Sequence, residues 1–264
     1  MKQKFVFSSS AQQRRLRSIA ANALGRAALL LADAGTPVRV RGTNASPRRS
    51  FASAEQIVEE HFNKRSDPNH VNRQSMSDTI KLLRERPSLI LETGSSAWGS
   101  DSSRLFDDYV SHFGGEFVTV DNRISPLLRL RSDLGPRSRI VCDDSVRFLH
   151  AWVADNPARK VDLVYLDSFD LDLASPTEAA AHGLLELEAI RPALGGGSLL
   201  LVDDTPATID FFPQSERPSA RQFVERTGLI PGKGMLIDVY LRDDPVVVKI
   251  HHHYQALYRF GSTA

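Results

Sequence analysis

The chain has 264 residues, 41% of them hydrophobic, and a formal charge of +1. Those values fit one α/β domain of ordinary size with a modest extension, and they exclude fibrous and wholly disordered classes. Its one cysteine, Cys142, excludes a disulfide framework and a cysteine-based zinc cluster and suits a reducing, cytoplasmic setting. No apolar run approaches the roughly 18 to 20 residues of a membrane span.

Residues 1–50 carry ten Lys or Arg against one acid, Asp33, a local charge of +9 that leaves −8 for the remainder. Such a split reads either as an arm drawn to an anionic partner or as a solvated basic face docked on an acidic body. Leu16, Ile19, Ala20, Ala23, Leu24, Ala27, Leu30 and Leu31 recur at helical spacing before Gly35 and Pro37. This predicts a helix for packing or homodimerisation; the absence of acids from its first 26 residues also admits an organelle transit peptide. Thr36 to Ala52 lacks periodicity and reads as a linker. The expected division is a basic helix and linker over 1–52, then a domain over 53–264, with a helical lead-in at 53–87 and a sheet core at 88–260.

Ser53-Ala54-Glu55-Gln56 has the capping-box pattern and predicts a helix start, and a further helix is expected over Ser75 to Glu85 before Pro87. Beyond Pro87, short apolar runs alternate with helical stretches, as βαβ units require. The runs are Ser88 to Glu92, Phe117 to Asp121, Arg139 to Cys142, Val161 to Asp167 and Ser198 to Asp203. Four of them end in an acid, where ligands of an open parallel sheet bind. Met235 to Leu241, a turn at Arg242 to Pro245 and Val246 to Phe260 read as two strands closing the sheet as an antiparallel hairpin.

The first of these runs leads into Glu92-Thr93-Gly94-Ser95-Ser96-Ala97-Trp98-Gly99 and then a predicted helix near Asp101 to Phe113. Glycines there allow a ligand to approach the backbone at a helix N-terminus, or simply make a tight turn. Asp121 ends the second run, 22 residues beyond Gly99, where nucleotide-binding folds place an acid for the ribose hydroxyls. The loop lacks the three closely spaced glycines that receive a pyrophosphate, so a ligand without phosphates fits better.

With this loop, the acid after the second strand, the acid after the third and the terminal hairpin, Pro87 to Phe260 resembles the class I S-adenosylmethionine-dependent methyltransferases. The resemblance implies a Rossmann-like, seven-stranded, mostly parallel sheet with a C-terminal antiparallel hairpin strand, flanked by helices. It also implies that Glu92, Gly94, Ser96 and Gly99 surround the methionine part of S-adenosyl-L-methionine. Asp121 would hold the ribose, Asp144 and Ser145 would lie beside adenine, and Asp167 would border the cofactor.

Asp167, Asp203 and Asp204 end neighbouring strands, and three converging carboxylates need protonation, pairing or a cation. Mg²⁺ is one answer, since it takes carboxylate oxygens and lowers the pKa of a bound hydroxyl. Capping of strand ends, or bonding of a cofactor's amino group, is the other. Tyr165 to Asp170 followed by Leu201 to Asp204 resembles the metal-dependent O-methyltransferases of the catechol and macrocin sugar types, which implies Asp167, Asp203 and Asp204 as metal ligands. Asp203 stands 36 positions after Asp167, more than the spacing of that family. Asp170 and His182 are equal candidates for the general base. Alternation along a strand allows only His251 and His253 of the triple histidine to share an ion. Phe211 and Phe212 fit either an acceptor pocket or the core, and Gly232-Lys233-Gly234 reads as a turn.

The leading expectation is methyl transfer to an oxygen of a small molecule or sugar, with Mg²⁺ optional. A nucleic-acid acceptor drawn by Arg14, Arg15, Arg17, Arg39, Arg41, Arg48 and Arg49 is the second, although the stretch these arginines span has no aromatic residue to stack bases. A non-catalytic binding protein on the same fold is the third.

Overall fold

The computed structural model describes residues 37–44, 50–95 and 99–261. The expected N-terminal helix, the homodimer it would form, Ser96 and the arginines of the arm other than Arg39 and Arg41 lie outside the described residues. The elements, in chain order, are β1 (Val38–Arg41), α1 (Ala54–Lys64), α2 (Arg73–Leu82), β2 (Ser88–Thr93) and α3 (Ser102–Phe113). Next come β3 (Gly115–Asp121), α4 (Ile124–Asp133), β4 (Ser138–Cys142), α5 (Ser145–Asp155), β5 (Leu163–Leu166) and α6 (Pro176–Ile190). The chain ends with β6 (Leu199–Val202), α7 (Arg217–Thr227), α8 (Met235–Leu241), β7 (Val247–His252) and β8 (Ala256–Phe260). Among the described residues no helix is long and apolar enough to cross a membrane.

The strands form one sheet in the order β1-β4-β3-β2-β5-β6-β8-β7. The five strands β4 to β6 of this order are parallel, and β1, β8 and β7 are antiparallel to their neighbours. Both faces of the central strands are covered, which explains their nearly continuous apolar runs. Ile90, Phe117, Ile140, Leu163 and Leu199 pack on one face with Met76, Ile80 and Phe106 of α2 and α3. Leu91, Val118, Val141, Val164 and Leu200 pack on the other with Leu149, Trp152 and Leu187 of α5 and α6. Each fully buried side chain of this size contributes about 1.5–3 kcal/mol.

The predicted helix starts are found. Ser53 caps α1 by accepting from the Gln56 amide at 3.3 Å, and the Gln56 side chain reaches back to the Ala52 amide. Three expectations need correction. The sheet has eight strands, because Val38–Arg41, assigned above to a linker, pairs antiparallel with β4 and buries Val38. These four residues therefore share the core's sheet; a run so short is stabilised by its partner strand rather than by its own pattern. Met235–Leu241, expected as a strand, is α8: Asp238 N–H donates to Gly234 O at 2.8 Å, and Met235, Ile237 and Leu241 are buried. Seven residues so rich in apolar side chains satisfy both periods, and only packing decides between them. The closing hairpin is real but lies wholly within Val247–Phe260, as β7 and β8.

The parallel strand order reverses between β2 and β5, so the helices that follow them, α3 and α6, run to opposite faces of the sheet from adjacent strand ends. A crevice opens at such a switch point.

Candidate active site

Two clefts open at this edge. The smaller, about 230 Å³, runs from Gly94 past Asp121 to Asp144, Ser145 and His182. The larger, about 840 Å³, is bordered by His70, Asn72, Arg129, Asp203, Lys233 and Tyr254, among others. Gly94, Arg123, Asp167 and Asp170 border both, so the clefts share a wall.

Gly94 has φ +83°, and a Cβ there would lie 2.2 Å from the Asp167 carbonyl oxygen. Only glycine permits this contact between the loops after β2 and β5. Gly99, also left-handed at φ +80°, lies on the side of the larger cleft beside His70. Glu92 departs from its expected place: fully buried, it accepts from Ser102 Oγ at 2.6 Å, Ser103 Oγ at 2.5 Å and Thr119 Oγ1 at 2.6 Å. Its carboxylate holds the start of α3 beneath the loop and borders neither cleft.

Burial pushes the Glu92 pKa up to about 7 despite the three hydroxyl donors, which pull it down. A raised acid keeps its proton in the folded state while the unfolded chain ionises. Its contribution to stability is therefore lost as pH rises from about 4.5 to about 7, by about 3 kcal/mol. The difference in unfolding free energy between Glu92→Gln and the wild type should shift in the variant's favour over this window. Urea denaturation at several pH values measures it, and a difference independent of pH would contradict the assignment.

Asp121 ends β3 with its carboxylate almost fully buried. It accepts from the Ser95 amide at 3.0 Å and from Arg123 through the main-chain N–H at 2.7 Å, Nε at 2.9 Å and Nη2 at 2.8 Å. Asp144 caps α5 by accepting from the Arg147 amide at 2.8 Å. Ser145 Oγ lies 3.0 Å from His182 Nε2, whose ring stacks on Phe169. The hydrogen bond to Glu186 holds the His182 pKa above its ordinary value against burial. His182 thus borders the smaller cleft alone, while Asp170 borders both.

The parallel register that pairs Leu166 with Val202 sets Asp167 beside Asp203. Asp204 has φ +41°, a left-handed backbone that costs about 1–3 kcal/mol and breaks the strand's alternation. Two consecutive carboxylates can then face one point: one oxygen from each of Asp167, Asp203 and Asp204 lies within 4.8 Å of the others. The cation among them is Lys233, which sequence reasoning passed over. Its Nζ is 2.8 Å from Asp167 Oδ1 and 3.1 Å from Asp204 Oδ2, with 5% of the side chain exposed. Burial works against this ammonium, and Asp167, Asp204 and Asp203 outweigh it, holding its pKa above the ordinary lysine value. Burial and Asp203 push Asp167 well above the usual carboxylate range, whereas Lys233 helps to hold Asp203 below it.

Mg²⁺ binds carboxylate oxygens at about 2.0–2.1 Å, and an ion that close to Asp167 and Asp204 would crowd a second positive charge against Lys233. As arranged, the donor set does not fit a divalent ion. The histidine run does not assemble a set of three ligands among the described residues, and His251 is paired with Asp78 at 3.2 Å. Phe211 packs on His253 and Phe212 is buried, so neither borders a cleft.

No model of a known protein family matches the sequence, and no curated protein matches it. Solved structures do. The MycE methyltransferase from the mycinamycin biosynthetic pathway, in complex with Mg and SAH, is 17% identical over 81% of this chain, with a TM-score of 0.50. This chain covers 55% of that one, about half its length. The Podospora anserina methyltransferase PaMTH1, bound to SAH, is 14% identical over 98% of this chain and 99% of its own, with a TM-score of 0.47. The chain has the Rossmann-like fold of class I methyltransferases.

Proposed function

We propose that the protein is an S-adenosylmethionine-dependent O-methyltransferase that acts on a hydroxyl of a polar small molecule, of which a sugar is the best example. The observation that carries this reading is the wall shared by the two clefts at Gly94, Arg123, Asp167 and Asp170. A donor in one cleft and an acceptor in the other would meet there, and holding two reactants in contact is most of what methyl transfer requires. MycE, which has this fold, was solved with SAH.

The smaller cleft suits the cofactor because Asp121 and Asp144, the acids expected beside ribose and adenine, border it and not the larger one. When bound, S-adenosylmethionine supplies an electrophilic methyl group on its sulfonium. Asp121 would receive the ribose hydroxyls, Asp144 and Ser145 would border adenine, and Gly94 would border the methionine part. Asp170 is favoured over His182 as the base that takes the acceptor's proton, because Asp170 borders the larger cleft and His182 does not.

The lining of the larger cleft supports a polyhydroxylated acceptor over a flat aromatic one. Val71 is the one aliphatic side chain among the described residues there, beside four acids, two arginines, a lysine and a histidine. A catechol ring would find little apolar surface, whereas a sugar would find donors and acceptors.

Calorimetric titration with S-adenosylhomocysteine, followed by transfer of labelled methyl to sugars, catechols and RNA, tests the proposal. Saturable heat and label in a sugar hydroxyl are expected. Absence of heat would reject the cofactor, and label confined to catechol or RNA would reject the acceptor class.

A further inference from the structure

Taking the methyl-transfer reading of the clefts as given, we infer that Lys233 is the resident cation of the Asp167, Asp203 and Asp204 cluster, so that this site works on its acceptor without a divalent metal ion. The ammonium touches two of the three carboxylates from a position that is almost wholly buried. The loop that carries it is stitched to the end of β6 at consecutive residues. Lys233 N–H donates to Asp204 O at 2.9 Å, and Gly234 N–H donates to Thr205 Oγ1 at 3.0 Å. A Cβ at Gly232 would lie 2.7 Å from that same Asp204 carbonyl oxygen, and one at Gly234 would lie 2.5 Å from Thr205 Oγ1. The two glycines flanking Lys233 are therefore what let its backbone lie against the acid-bearing strand end, which fixes where the ammonium falls.

The other faces of the cluster are occupied as well. Asp203 Oδ1 accepts from Asn72 Nδ2 at 3.1 Å and from Gln255 Nε2 at 2.8 Å. Asp204 Oδ1 accepts from the Tyr254 hydroxyl at 2.7 Å, and Asp167 Oδ2 from the Tyr165 hydroxyl at 3.2 Å. A divalent ion taking one oxygen from each acid would have to displace the ammonium, while these neutral donors can stay on the remaining lone pairs and keep the carboxylates in place. Lys233 also borders the larger cleft, where its fixed charge lies beside the acceptor's place and would favour oxygen as it gains negative character. In MycE, solved with Mg, a metal is present; here the same fold carries a covalent cation.

Mn²⁺ titration followed by electron paramagnetic resonance, on the full chain freed of metal with EDTA, tests this without relying on turnover. The wild type should show no saturable Mn²⁺ site at millimolar ion, and methyl transfer should be unchanged by EDTA. Lys233→Ala should gain one Mn²⁺ site, at least about tenfold tighter than anything on the wild type, because three carboxylates then converge on an empty point. A wild-type site that Asp203→Asn removes would overturn the inference, as would loss of turnover in EDTA restored by Mg²⁺. A folded Lys233→Ala that gains no site would also overturn it. Should that variant fail to fold, the wild-type titration and the Asp203→Asn comparison decide alone. S-adenosylhomocysteine titration on the same samples is read separately: its failure would sink the methyl-transfer reading and leave the ion result standing.

Discussion

Asp121→Ala is expected to weaken S-adenosylhomocysteine binding by about 100-fold or more, because two hydrogen bonds to a carboxylate are lost at about 1.5–3 kcal/mol each. In the structure both oxygens of Asp121 are engaged, and three of the four donors belong to Arg123. Ribose hydroxyls would have to displace the guanidinium. That displacement is feasible, since the Arg123 side chain is 63% exposed and returns its charge to water, while the buried Asp121 carboxylate exchanges those donors for the ribose hydroxyls. Arg123→Ala should therefore leave the affinity within about fivefold of the wild type or tighten it slightly. The two variants move in different directions only if Asp121 contacts the ligand and Arg123 merely covers it. Equal losses in both would show that the pair acts as a structural unit. Thermal melting of each variant separates lost affinity from lost fold.

Lys233→Met should lower the unfolding free energy by about 3–5 kcal/mol, the usual result of removing one partner of a buried ionic cluster while leaving the others charged. The volume is nearly kept, so the effect isolates the charge rather than a cavity. Asp167 and Asp203 would be left adjacent in a buried site, with Asn72, Gln255 and the two tyrosines supplying neutral donors only. Chemical denaturation measures the loss. A change of under about 1 kcal/mol would mean that the carboxylates are already neutralised by protons and that the ammonium adds little.

Much of this arrangement is legible in the chain. The runs from Ser88 to Asp203 show a sheet covered on both faces, and the acids at their ends mark its carboxyl edge. Gly94 and Asp121 in their order point to a nucleotide-like ligand, and the structure sets both beside one cleft. These signals are local: alternation, helix caps and strand-end residues arise between near neighbours, so a linear reading carries them.

What the linear reading missed depends on partners far along the chain. Val-Arg-Val-Arg at 38–41 is a strand only because β4 lies beside it, about a hundred residues later. Met235–Leu241 is a helix because it packs on α6. Glu92 looks like a ligand contact until Ser102, Ser103 and Thr119 close over it. The sequence by itself determined the class of fold and the three acids of the rim. Tertiary structure decided what neutralises them, because the lysine that reaches Asp167 stands 66 residues away in a Gly-Lys-Gly turn. A lone lysine between glycines has no spacing rule to reveal it; only the packing of that turn against β6 makes it the counter-charge of the site.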